Sequence, residues 1–202
     1  MSNSPWLSEY ELATLSDRDF FPLKFEICEK VEGQLNHFYQ SIVHHHDAQN
    51  TYLKNTGKLS KGENYHTYPY RVLDFPRYFA GEDILLFRTM MLWGDTFSFH
   101  LILTGRPYDI FQESIWKARH KASFPLYIAQ HETPWTWGQQ EGGWINGEVW
   151  TDKNWEQHIS VYKYLKLSTF LPLSEAADFE LFASKAWNWA FQAINFSKIS
   201  PT

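Results

Sequence analysis

"ILLFRTMMLWGDTFSFHLILT", residues 84–104, decides what kind of fold this chain adopts. Two apolar runs of strand length flank Gly94-Asp95, and a glycine-first loop between such runs is a tight-hairpin signal. The spacing predicts an antiparallel pair, 84–93 with 96–104. A two-residue loop sets Trp93 against Thr96 and Arg88 against Leu101. A three-residue loop sets Arg88 against His100. In both registers a guanidinium interrupts an apolar strand. Because it cannot lose its charge, it needs a carboxylate or a ligand anion. His100 shares its face with Thr96 and Ser98, a polar strip in which an imidazole can work as acid or base near neutral pH.

Immediately upstream lies "KGENYHTYPYRVLDFPRYF" (61–79). Pro69 and Pro76 bracket "YRVLDF" (70–75), which reads as a short or edge strand. Alternation puts Tyr70, Val72 and Asp74 on one face. Asp74 is, like Arg88, a charge where a strand should bury something. The two together suggest an ion pair or a polar pocket within an aromatic sheet, with Tyr65, Tyr68, Tyr70 and Arg77 at its mouth.

Outward from this hairpin region the pattern is helical at both ends. Phe21, Phe25, Cys28, Val31, Leu35, Phe38 and Ile42 recur at three- and four-residue steps, predicting a long helix from Pro22 to about His45. Polar residues 47–68 read as a flexible connection. After the hairpin, 105–122 returns to helix, with Tyr108, Phe111, Ile115, Ala118 and Ala122 on one face. Its basic cluster "KARHK" (117–121) suits a helix C-terminus. "FPLYIAQHE" (124–132) reads as a strand, and Asn146-Gly147 as a hairpin turn. Residues 152–166 fit helix or strand equally. A last helix is expected from Ser174, as N-cap, to Asn195. Helix first, hairpins in the middle and helix last predict one α+β domain over 1–202. Its antiparallel sheet would be built from hairpins and packed by the long N-terminal and the C-terminal helix.

With 202 residues, 44% of them hydrophobic, the chain can bury a real core. No apolar run approaches the ~18 residues of a membrane helix. The opening "MSNSPWLSEYEL" has neither a basic n-region nor an apolar h-region, so no signal peptide is expected. Cys28 is the single cysteine, and a cytoplasmic location is the expectation. A net charge of −5 without a basic stripe argues against nucleic acid. The phosphate-loop, dinucleotide, nucleophile-elbow and zinc-protease signatures are all missing, and neither a metal nor a cofactor is expected.

Two further features stand out. His44, His45, His46 and Asp47 are ligand-type residues, but consecutive helical positions diverge by about 100°, so they cannot all face one ion. Aromatic residues make up 18% of the chain, including ten tryptophans. Trp135 and Trp137 would offer stacked indoles to a flat ligand, or cover the end of the core or a dimer seam. The core reading is preferred.

Three functions follow as expectations. The first is a binder of a small, possibly anionic, molecule in an aromatic-lined pocket of Arg88, Asp74, Tyr70, Arg77 and Tyr65. The second is an enzyme using His100 as acid/base and Arg88 as anion anchor. The third is a non-catalytic interaction subunit, with a homodimer through an aromatic surface as its natural form.

Overall fold

The computed structural model describes residues 6–196. The first five residues of the stretch read for a leader lie outside them. The chain forms an α+β fold around one seven-stranded antiparallel sheet. The strands are β1 (Lys58–Tyr65), β2 (Tyr68–Ala80), β3 (Asp83–Leu92), β4 (Thr96–Thr104), β5 (Tyr127–Ala129), β6 (Trp144–Asn146) and β7 (Tyr164–Pro172). Their spatial order is β1-β2-β3-β4-β7-β5-β6. The helices are α1 (Glu9–Ser16), α2 (Phe20–Ile42), α3 (Gly105–Ala118), α4 (Asp152–Val161) and α5 (Phe179–Ile194). No helix among the described residues is long and apolar enough to cross a membrane.

The two faces of the sheet follow from its register. Phe87, Phe99, Leu101 and Leu167 point to one side, where α2, α3 and α5 close a single large core. Trp187 of α5 is wholly buried there and donates its indole N–H to Phe75 O at 2.7 Å. The opposite side carries a smaller apolar group, Val72, Leu86, Met90 and Ile102, with Trp137 laid over it.

The hairpin at 84–104 takes the three-residue register: Met91 opposes Phe97 and Arg88 opposes His100. Several expectations need correction. β2 is an inner strand of thirteen residues, not a short or edge strand. It runs through both prolines because each falls at a register shift, one between Gly62 and Tyr65 of β1, the other between Asp74 and Arg77 of β2 itself. A missing N–H costs little at such a bulge. The stretch read as a flexible connection, 47–68, contains the edge strand β1, which buries no residue on either face and so shows no apolar alternation. Asn146-Gly147 makes no hairpin; β6 ends there and the Gly147 N–H donates to Leu126 O at 2.6 Å. Residues 152–166 are both helix and strand, α4 and then the start of β7. The last helix begins later than Ser174, after a 3-10 turn over Leu173–Asp178.

Candidate functional site

Antiparallel pairing carries one polar row straight across the sheet. Asp74 of β2 opposes Arg88 of β3, Arg88 opposes His100 of β4, His100 opposes Ser168 of β7, and Ser168 opposes Tyr127 of β5. Directly opposed residues share a face, so five strands deliver their polar side chains to the side away from the helices. Arg88 and Asp74 form a two-pronged ion pair, Nε to Oδ1 and Nη2 to Oδ2, both at 2.8 Å. His100 is fully buried and bonded at both ring nitrogens, Nε2 with Ser98 Oγ at 2.9 Å and Nδ1 with Ser168 Oγ at 2.7 Å. Burial, with Lys166 and then Arg88 nearby, pushes the imidazole pKa well below its ordinary value. His100 is therefore neutral at physiological pH.

One row along, Lys166 of β7 is also completely buried. Its Nζ donates to the carbonyl oxygens of Pro134 and Thr136 and lies 3.9 Å from the centre of the Trp137 ring. Burial and then repulsion by Arg88 pull its pKa well down, with Glu141 opposing them. The segment 131–143 is thus tied to the sheet at Pro134 and Thr136 by the Lys166 amine beneath it. Trp137 is shared, since the Arg88 guanidinium sits 4.4 Å from the same ring. The indole face offers negative π-density to the guanidinium.

At the edge of this cover the surface opens into a cleft of about 470 Å³, lined by Tyr65, Tyr68, Trp93, Asp95 and Glu141, with His66 at its rim. Glu141 is its hub. Oε1 accepts from the Tyr65 hydroxyl at 2.7 Å and from the Gly138 N–H at 2.6 Å, and Oε2 lies 3.2 Å from His66 Nε2. Burial alone would raise this carboxyl's pKa; the Tyr65 and Gly138 bonds and the neighbouring His66 outweigh it, and the pKa is lowered. The Tyr65 hydroxyl also accepts from the Trp137 N–H at 3.0 Å, which joins the cleft to the buried row. Asp95 accepts the N–H groups of Gln139 and Gln140 at 3.2 and 3.4 Å. The rim turn has positive φ at His66 (49°) and Thr67 (75°). A β-branched residue there is unfavourable, and such strain is found where a site needs it.

Of the residues singled out from sequence, Asp74, Arg88 and His100 come together; Tyr65 lines the cleft beside them. Tyr70 packs over Gly62 of β1 and joins the apolar group of that face. Arg77 lies toward the far end of β2, with its Nε donating to Thr56 O at 3.0 Å, away from the tyrosines it was grouped with. Sequence reasoning missed Lys166, Trp93, Asp95 and Glu141. Lys166 alternates with Leu165 and Leu167 as an ordinary solvent-facing lysine would, and only its opposition to Ile102 marks it as buried.

The rings of His44 and His45 lie 4.1 Å apart, but the run does not aim at one point. His45 packs against Trp187 and Phe191, and His46 Nε2 contacts Lys54 O at 2.9 Å. Asp47 caps its own turn by accepting the Gln49 N–H. Among the described residues no three His, Cys, Asp or Glu side chains converge as metal ligands. Trp135 and Trp137 lie in the covering loop instead of a strand, consistent with the core reading for Trp137. No protein-family model, curated protein or solved structure matches the chain.

Proposed function

We propose that this protein binds a small organic cation, an amine or quaternary ammonium, in the cleft of Tyr65, Tyr68 and Trp93. The observation that carries the proposal is the pairing of three aromatic rings with two carboxylates, Asp95 and Glu141, in a cleft whose lining holds no Lys or Arg. Aromatic faces with an adjacent acid are the chemistry that recognises ammonium groups. The volume lies in the range of small-molecule sites. Both carboxylates already accept backbone or hydroxyl protons, and Glu141 also faces His66 at 3.2 Å, yet each retains lone pairs. This replaces an anion by a cation as the favoured ligand, because Arg88, the intended anion anchor, is occupied by Asp74. Use of His100 as acid/base has less support, since both its nitrogens are engaged and the ring is covered by Trp137 and Trp144. A cytoplasmic home remains part of the proposal, supported by the one buried free thiol, Cys28.

Choline and its neutral isostere 3,3-dimethylbutanol make the test, read by thermal shift and calorimetry. Choline is expected to stabilise the protein by mass action, and the neutral isostere to do so much less. Trp93→Ala is expected to weaken choline binding by roughly 5- to 30-fold, the equivalent of about 1–2 kcal/mol. Equal binding of both compounds, no binding of choline, or indifference to Trp93→Ala would reject the cationic cleft.

A further inference from the structure

Among the described residues the first helix stands exposed along its whole length. α1 is eight residues long and buries none of them, although a complete capping box of Ser8 and Glu11 closes its N-terminus. Helices this short are not stable alone in water, and in proteins tertiary packing supplies what propensity does not. Its apolar residues Tyr10, Leu12, Ala13 and Leu15 point all round the helix at steps of about 100°, a pattern that belongs to a helix buried on several sides.

The exposure continues into α2. The apolar stripe of that helix is buried only from Cys28 onward. Trp6, Tyr10, Leu15, Phe21, Leu23 and Phe25 are each between 55% and 90% exposed. At roughly 150–250 Å² for a fully exposed aromatic side chain and somewhat less for leucine, these six leave roughly 600–900 Å² of apolar surface distributed round the two helices, Leu23 standing about 200° from Phe21. Each side of a standard interface buries about 800 Å², an area these residues reach only if a partner wraps round both helices.

We infer that α1 and the first two turns of α2 are a dimerisation surface whose occupant is the same surface of a second copy. The area matches what one partner of a stable dimer contributes. An isologous contact also lets one patch cover another of identical character, and α1 then orders as it is buried. Charge argues against a membrane surface as the occupant. Residues 6–26 hold Glu9, Glu11, Asp17, Asp19 and Glu26 against Arg18 and Lys24, whereas helices lying on anionic lipid carry basic polar faces. The inference is independent of the cleft, which lies on other elements.

Size-exclusion chromatography with light scattering on the full chain decides it. The expected mass is twice the 24.0 kDa of one chain. Phe21→Glu/Phe25→Glu is expected to return a single-chain mass, with the dimer weakened by roughly a hundredfold or more. The near-ultraviolet circular dichroism of the core should not change. Tyr10→Glu/Leu15→Glu is the second variant, chosen because α1 contributes nothing to the core; it decides the matter if the first variant misfolds. A wild-type monomer at all concentrations overturns the inference, as does a dimer that survives the α1 variant. A monomer that cosediments with phosphatidylglycerol vesicles also overturns it, by assigning the patch to lipid.

Discussion

Asp74 and Arg88 show how a charge is tolerated inside an apolar layer. The carboxylate is almost wholly buried, the Arg88 side chain is 19% exposed, and each prong of the fork finds an oxygen at 2.8 Å. A pair like this contributes less to stability than its geometry suggests, because both ions have left water. Removing one partner is another matter. Asp74→Ala strands a cation beneath Trp137, and a loss of about 3 kcal/mol is expected in urea denaturation. Asp74→Leu with Arg88→Met removes both charges and is expected to lie within about 1 kcal/mol of the parent. Equal losses for the single and double variants would show that side-chain volume, not the unpaired charge, sets the cost. His100 obeys the same logic by a different route. It sheds its charge and divides its two ring nitrogens between Ser98 and Ser168.

At the scale of elements, the β1–β2 hairpin repeats this trade of stability for placement. Tyr65 and Tyr68 oppose each other across His66-Thr67, and both central residues have positive φ. Asn-Gly is the inexpensive solution for such a turn. Here His66 instead stands 3.2 Å from Glu141, and Asn64 Oδ1 accepts the Thr67 N–H at 3.2 Å. Thr67→Gly is expected to raise stability by about 1 kcal/mol, seen as a higher urea midpoint with unchanged slope. A drop in stability would mean that Thr67 makes a favourable contact outweighing its backbone strain. The covering segment 131–143 is irregular for a related reason. It is held by isolated anchors, including Lys166 under Pro134 and Thr136, Asp95 under Gln139 and Gln140, and the Trp144 indole donating to Gly138 O at 2.8 Å.

Across the whole molecule, neutral buried imidazoles tie stability to pH. His158 of α4 lies within an aromatic cluster, stacked on Tyr162 at 4.7 Å and on Trp155 at 5.9 Å. Burial lowers its pKa to about 4, a backbone contact with Tyr164 opposing the shift. His100 is displaced in the same direction. Between about pH 6.5 and 4 the unfolded chain binds protons at these positions and the folded chain does not. Their stabilisation is therefore complete above about pH 6.5 and declines as pH falls. The melting temperature should drop over that window. His158→Phe should flatten part of the drop and leave the part that belongs to His100; an unaltered profile would show that His158 is not held neutral. How much of this was legible in the residues differs from place to place. Periodicity of two and of 3.6 identified the central hairpin, the long N-terminal helix and the α+β class, and the charges at 74 and 88 announced themselves by interrupting apolar strands. Those signals are local, and local chemistry reports which face a residue is on. It does not report what covers that face. The tertiary structure alone decided that Lys166 is buried while Phe21 and Phe25 are exposed, and that Tyr65, Trp93 and Glu141 border one cleft. Each of those outcomes depends on segments distant in sequence meeting, or failing to meet, in space, and the loop that builds the cleft has no periodicity to betray it.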